Sequence, residues 1–281
     1  MNTQKRVMAI HDISCVGRCS LTVALPIISA AGFDCGVLPT AVLSTHTGGF
    51  TGFTYRDLTD DIKPIAAHWD TLGLRFDALY SGFLGSFEQI ALVAEVFDRF
   101  KAQDGFVLVD PVMADHGKLY PVYSPEMAKG MAGLCSHADI IVPNLTEAAF
   151  LLDEPYVGNE YDRQYIEGLL KRLIKLGVKQ VVLTGISFEP GMLGAACYDS
   201  TSSEMGYFAL KWIDGYFHGS GDVFGSSLVS ALLSGHPLSK AMEIAVRYTH
   251  RCIVLTVEAG QEIRYGVCFE RAIPFLSELL K

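Results

Sequence analysis

The sequence predicts an α/β fold of three layers, α/β/α, built on a mainly parallel central sheet with an antiparallel edge. Three observations carry that expectation. Short β-rich runs alternate with longer stretches of helical spacing. The strand runs are apolar at successive positions, as strands covered on both faces are. The segments between them are long enough to be crossover helices.

In chain order, "RVMAI" (6–10), "DALYSG" (77–82), "FVLVD" (106–110), "ADIIVP" (138–143) and "QVVLT" (180–184) read as parallel strands. Helices are expected between them near 20–31, 86–102, 124–135 and 160–177. "MLGAACYD" (192–199) and "EMGYFAL" (204–210), joined by "STSS", read as an antiparallel pair at one edge. The rest reads as helical: 221–234, 238–257 and a last segment near 268–280. No linker, low-complexity tract or internal repeat interrupts this alternation, so one domain over residues 1–281 is expected.

The 281 residues carry 31 acidic against 22 basic side chains, a formal charge of −9, with no run of lysine and arginine. Nucleic acid is not an expected partner. The apolar stretch Val7 to Ile10 is too short for a signal-peptide core, and no run approaches the roughly 20 residues of a membrane span. A cytoplasmic protein with no membrane partner is the expectation. The seven cysteines form no C-x-x-C pair and are odd in number, which reads as reduced thiols.

Several nucleotide and hydrolase patterns are missing. Gly117-Lys118 is followed by leucine, so there is no Walker A loop. Gly219, Gly221 and Gly225 give G-x-G-x-x-x-G late in the chain, which is not the dinucleotide fingerprint, and no G-x-S-x-G elbow occurs. Polar clusters nevertheless fall at strand ends, where such sheets bind ligands: "HDISCVGRCS", "SGFLGS", "DPVMADHG" and "PNLTE".

In "FHGSGDVFGSSLVSALLSG" (217–235), backbone N–H groups of Gly219, Ser220 and Gly221 can face a phosphoryl group in transit while Asp222 takes the proton of the incoming alcohol. The same residues also read as a plain helix cap. Asn144 and Glu147 lie three apart at a strand-to-helix junction and could hold hydrated Mg²⁺ near nucleotide phosphates, or form an ordinary cap. Asp110 and Asp115 add negative charge suited to a cation arriving with a substrate, or are solvated loop acids. "STHTGGF" (44–50) offers His46, hydroxyls and glycines to a small polar ring, although a lone histidine is more often structural. Asp12, just past the first strand, can bond a ligand or cap the helix starting near Ser20, and Thr184 can touch a nucleotide phosphate or be a turn residue.

Taken together, "HGSGD" with "VFGSSLVSALLSG", "PNLTE", "DPVMAD", "SGFLGS" and "STHTGG" resemble the ribokinase-like superfamily, in its branch of pyridoxal kinases and hydroxymethylpyrimidine kinases, over about residues 6–257. The resemblance implies transfer of the ATP γ-phosphoryl to a hydroxymethyl group on a heteroaromatic ring. It implies Asp222 as general base and Gly219, Ser220 and Gly221 as anion hole. Asp110, Asp115, Asn144 and Glu147 would serve ATP and its Mg²⁺, with Asp115 and Glu147 meeting the metal partly through water. Thr184 would touch the nucleotide, and Asp12, His46 and Thr47 would meet the ring. Aspartate at position 222 is similar to pyridoxal kinases, where hydroxymethylpyrimidine kinases usually carry cysteine. Asp12 departs from that pattern, since pyridoxal kinases carry serine there and the pyrimidine kinases aspartate. The expected function is phosphorylation of the 5′-hydroxymethyl group of pyridoxal, pyridoxine or pyridoxamine in pyridoxal phosphate salvage. The alternatives are hydroxymethylpyrimidine (phosphate) kinase of thiamine synthesis and a non-catalytic sensor of a B6 compound or nucleotide. A homodimer is the expected assembly, and a monovalent cation requirement is left open.

Overall fold

The first strand, β1 (Arg6–Ser14), shows why the sheet lies in the middle: Val7, Met8, Ala9 and Ile10 are all fully buried. Alternate side chains of a strand point to opposite faces. Val7 and Ala9 enter one core and Met8 and Ile10 another. The computed structural model describes residues 4–281, so the first three positions of the expected single domain lie outside the described residues.

After β1 come β2 (Asp34–Leu43), β3 (Tyr55–Asp57), β4 (Phe76–Ser81), β5 (Lys101–Val109), β6 (Ala114–Asp115), β7 (Lys118–Leu119), β8 (Ile140–Ile141), β9 (Gln180–Ile186), β10 (Met192–Asp199) and β11 (Glu204–Lys211). Nine of them form one sheet in the order β11-β10-β9-β8-β5-β4-β1-β2-β3, while β6 and β7 make a small separate hairpin. From β9 to β2 every neighbouring pair is parallel; β10 and β11 at one edge and β3 at the other are antiparallel. The mainly parallel sheet with an antiparallel edge is therefore observed.

The helices are α1 (Leu21–Ala30), α2 (Thr59–Thr71), α3 (Phe87–Phe100), α4 (Pro125–Cys135), α5 (Leu145–Leu152), α6 (Arg163–Ile174), α7 (Ser220–Leu233), α8 (Leu238–Glu258) and α9 (Ile273–Leu279). Helices α2 to α6 pack on the face of Met8 and Ile10; α1, α7 and α8 pack on the face of Val7 and Ala9. The segment expected near 268–280 divides into a 3-10 turn, Phe269–Ala272, and α9. No helix among the described residues is long and apolar enough to cross a membrane.

Among the elements that went unpredicted are β2, β3, the β6–β7 hairpin and α2. β2 holds Gly36 and Pro39, both poor strand formers. Pro39 is tolerated because β3 pairs only with residues 41–43, leaving the side of β2 beside Pro39 unpaired. Helix α2 carries Pro64 in its interior and buries only Ile62 and Ala66, so its apolar stripe is thin. The chain leaves β1 for β2 through α1 on one face, then recrosses to β4 through α2 on the other. The carboxyl ends of β1 and β4 thus flank the point where strand order reverses, the usual ligand position in open α/β sheets.

Candidate active site

The first turn of α7 reaches this switch point. Gly219 caps the helix with φ 73, and a side chain there would also collide with the carbonyl oxygen of Arg18. Only glycine meets both conditions. The Ser220 hydroxyl turns back to donate to the Phe217 carbonyl at 2.8 Å. Gly221 is exposed, with open space where a Cβ would stand. The N–H groups of a first helical turn have no partner within the helix, and they attract anions.

Asp222 is half-buried as a residue, yet protein encloses its carboxyl group closely enough to push its pKa from 3.8 up to about 7. Enclosure is the main cause; the Ser20 backbone N–H draws the value down and the Asp12 charge raises it further. Asp12 itself is buried. Its Oδ1 accepts from the Ser20 hydroxyl at 2.6 Å and its Oδ2 from Ser14 at 3.2 Å. Burial raises its pKa as well, against the pull of these hydroxyls. Asp12 lies within β1 rather than past it, at the irregularity between His11 and Ile13, because the strand continues to Ser14.

Ser20, which sequence reasoning treated only as a helix start, joins the two acids. Its hydroxyl serves Asp12 and its N–H faces Asp222. To do both it adopts φ 57, a left-handed backbone conformation that L side chains avoid.

On the neighbouring strand ends, Asn144 and Glu147 form a complete capping box at the start of α5. Asn144 Oδ1 accepts from the Glu147 N–H at 2.9 Å, and Glu147 Oε2 accepts from the Asn144 N–H at 2.9 Å. The box also grips the 113–115 loop: Glu147 Oε1 accepts from the Met113 N–H at 3.0 Å, and Asn144 Nδ2 donates to the Ala114 carbonyl at 2.9 Å. Burial pushes the Glu147 carboxyl up to about 7. Asp115 accepts from the His116 N–H at 2.8 Å. The Thr184 N–H donates to the Pro143 carbonyl at 3.0 Å, which sets Thr184 beside Asn144.

Asp110 completes the arrangement. Burial first, then the charges of Glu147 and Asp222, hold its carboxyl well above the ordinary range. Asp115 acts likewise on Glu147, and Asp12 on Asp222. The acids thus form a row, Asp12, Asp222, Asp110, Glu147, Asp115, in which Asp12 raises the cost of ionising Asp222, Asp222 and Glu147 that of Asp110, and Asp115 that of Glu147. Such a row fits a cation delivered with an anionic ligand. No group of three or more His, Cys, Asp or Glu among the described residues makes a ready metal cage. Magnesium, which keeps waters and takes phosphate oxygens, does not need one.

His46 is buried in the loop after β2, with both ring nitrogens engaged. Nε2 lies 2.7 Å from the Arg264 carbonyl, and Nδ1 receives the Gly48 N–H at 3.2 Å. A carbonyl only accepts and an amide N–H only donates, so the ring is neutral with its proton on Nε2. Burial accordingly lowers its pKa. Its faces remain for contact, one edge-on to Phe50 at 4.9 Å, while Thr47 is exposed beside it. Sequence reasoning also passed over His218, which packs 5.0 Å from His46, and a side chain at Gly48 would collide with the His218 ring. The Arg18 N–H donates to Tyr265 at 2.9 Å and closes this loop cluster. The structure brings Asp12, His46, Asp110, Glu147 and the start of α7 to one end of the sheet; the only signal that pointed to His218 was its place beside the glycines.

The strand order, with a helix N-terminus and its acid at the switch point, defines the class as the ribokinase-like α/β fold. Residues 28–266 match the phosphomethylpyrimidine kinase family, and the chain belongs to that family. It is similar to a crystal structure from Bacteroides thetaiotaomicron of a candidate phosphomethylpyrimidine kinase, in a form with pyridoxal. Identity is 36%, covering 98% of this chain and 96% of that one, with a TM-score of 0.92. It is 26% identical to the pyridoxine/pyridoxal/pyridoxamine kinase of Bordetella avium, over 89% of this chain and 85% of the relative. It is also 26% identical to a hydroxymethylpyrimidine/phosphomethylpyrimidine kinase of Mycobacterium bovis, over 92% of each chain.

Proposed function

We propose that the protein transfers the γ-phosphoryl group of ATP to the 5′-hydroxymethyl group of pyridoxal, pyridoxine or pyridoxamine. The observation that carries this reading is Asp222: a carboxyl group pushed up to about 7 in the first turn of α7, where the Ser220 N–H reaches the Phe217 carbonyl at 3.3 Å and the Gly221 N–H has no partner within the helix. A base with a pKa near the working pH accepts an alcohol's proton most effectively, and the adjacent N–H groups spread the charge of the phosphoryl in flight. Gly219, Ser220 and Gly221 form that cradle. Asp110, Asn144 and Thr184 line the nucleotide side, and Asp115 and Glu147 hold Mg²⁺ partly through water, using lone pairs their backbone partners leave free. When bound, the metal would supply neutralisation of phosphate charge. Asp12 and Thr47 offer hydrogen bonds to the ring, and His46 offers its face.

The pyridoxal in the Bacteroides structure and the Bordetella relative support a B6 substrate. A second reading, phosphorylation of hydroxymethylpyrimidine or its phosphate, is supported by the family match and the Mycobacterium relative. Both substrates present a primary alcohol on a heteroaromatic ring, so the same base and cradle serve either. The experiment is ADP release with each B6 vitamer and with hydroxymethylpyrimidine, with and without Mg²⁺ and K⁺. Turnover of a B6 vitamer in preference to the pyrimidine is expected. Turnover of the pyrimidine alone overturns the substrate assignment, and binding without turnover makes the protein a sensor. The reading includes a homodimer, checked by light scattering, and a cytoplasmic location, in keeping with seven free cysteines.

A further inference from the structure

Beneath the first turn of α7 lie two polar rings that the chemistry above leaves unused. Tyr80 of β4 and His11 of β1 are fully buried and meet edge-to-face, with ring centroids 4.4 Å apart. The Tyr80 hydroxyl and both His11 ring nitrogens have no hydrogen-bond partner. Their surroundings are the apolar face of Val7, Ala9, Ala78 and Leu228. Buried polar atoms are nearly always paired, so three unpaired ones together call for a physical cause.

Glycines shape the space for these rings. A Cβ at Gly225 would collide with the Tyr80 hydroxyl, and a Cβ at Gly82 with His11 Nδ1. Gly225 stands one turn after Asp222 on α7, so the hydroxyl lies against the helix backbone just below the acid. Phenylalanine at position 80 would fill the same volume without an unpartnered hydroxyl. The acids whose charges act on Tyr80 are Asp110 and Asp222, from the end of β5 and from α7. Ser226 also faces it: the Ser226 hydroxyl donates to the Asp222 carbonyl at 2.6 Å and keeps acceptor lone pairs on the Tyr80 side, so it links the tyrosine to the Asp222 backbone.

We propose that Tyr80, seated on His11, is a positioning residue for phosphoryl transfer. Its hydroxyl donates through one enclosed water to the Asp110–Asp222 pair and holds the Asp222 carboxylate turned toward the acceptor alcohol. His11 contributes no charge, since burial pushes its pKa down to about 3; it supplies a neutral donor and acceptor behind the tyrosine. That water takes the Tyr80 hydroxyl and the two carboxyl groups as its polar partners.

This inference rests on Asp222 acting as the base, and the test separates the two ideas. Tyr80→Phe in the full-length protein is assayed with ATP and whichever hydroxymethyl substrate is turned over. The expected result is a fall in kcat of about tenfold with KM for both substrates within about twofold and no loss of thermal stability. Tyr248→Phe is the control, because that fully buried hydroxyl donates to the Phe269 carbonyl at 3.2 Å and the charges that act on it do not include Asp110 or Asp222. It is expected to lower the melting temperature and leave kcat unchanged. An unchanged kcat in Tyr80→Phe, or a joint loss of kcat and stability, overturns the inference. If Asp222→Asn abolishes turnover while Tyr80→Phe matches the parent, only the tyrosine's role falls. If Asp222→Asn retains full turnover, both ideas fall.

Discussion

Asp222→Asn gives a test in which catalysis and stability move in opposite directions. The Asp222 carboxyl is pushed from 3.8 up to about 7, chiefly by enclosure in the protein. The folded protein therefore holds a proton that the unfolded chain releases between those two pH values. Folded-state affinity for that proton makes stability fall as pH rises through this window, and above about 7 the full cost of the ionised group is present. At 1.36 kcal/mol per pH unit the ceiling on that cost is about 4 kcal/mol; contact of the half-buried residue with solvent reduces it to about 2 kcal/mol. Asparagine can still accept the Ser20 N–H but carries no charge, so the variant should be more stable by that amount at pH 8 and nearly equal to the parent at pH 4. For a chain of this size the gain corresponds to a melting temperature roughly 3–4 °C higher at pH 8. Turnover should fall by roughly 10² to 10⁴ while ATP affinity is nearly unchanged, as loss of a base requires. Differential scanning fluorimetry across pH, with ADP-release kinetics on the same preparations, measures both. Retained kcat refutes the catalytic role, and a variant less stable than the parent at pH 8 refutes the electrostatic reasoning.

Glu147→Gln keeps one hydrogen-bond acceptor but places an amide donor against a backbone N–H, so it should raise the Mg²⁺ concentration for half-maximal rate several-fold and cost about 1 kcal/mol of stability; unaltered metal dependence removes Glu147 from the site. Gly219→Ala must bear a left-handed backbone and a collision with the Arg18 carbonyl, and should lose both activity and several degrees of melting temperature, read by kinetics and calorimetry. Ser20→Gly and Ser20→Ala both remove the donor to Asp12, but glycine also releases the strain at φ 57, so urea unfolding should find it more stable than alanine by about 1 kcal/mol. Nitrogen NMR should show His46 neutral at pH 6.5 with its proton on Nε2, as its two backbone partners require.

Local periodicity made much of the fold legible. "MLGAACYD" matches β10 residue for residue, and α7 and α8 fall within one residue of expectation, because each carries an uninterrupted pattern bounded by turn residues. β2 and α2 were hidden by Pro39 and Pro64, whose costs are absorbed by an unpaired strand side and by packing that no local window reveals. The same division holds in the site. The Gly219–Asp222 turn is contiguous and therefore visible in sequence, and so is the Asn144–Glu147 box, whose two readings the side-chain geometry joins: it caps α5 and clamps the loop carrying Asp115. Ser20 was not visible as a bridge between Asp12 and Asp222, because that role depends on a strained backbone and on one strand and the starts of two helices meeting. Tyr80 was less visible still, since an aromatic residue in a buried strand reads as ordinary core.

What sequence could not supply was the electrostatic consequence of bringing these segments together. Asp12, Asp110, Asp115, Glu147 and Asp222 come from separate strand ends and helix starts, and each alone has an ordinary reading as a cap or loop acid. Assembled, Glu147 and Asp222 raise the Asp110 pKa, Asp115 that of Glu147 and Asp12 that of Asp222, each beyond what burial alone does. A row of that kind is costly in the free protein and becomes favourable when a cation enters. On the proposed reading, burial and the Asp12 charge keep Asp222 near neutrality, where a base is most effective, and the opposite end of the row would receive the metal-bearing anion. Stability is therefore given up at the place where both substrates would meet, and the two fully packed faces of the sheet are what allow it.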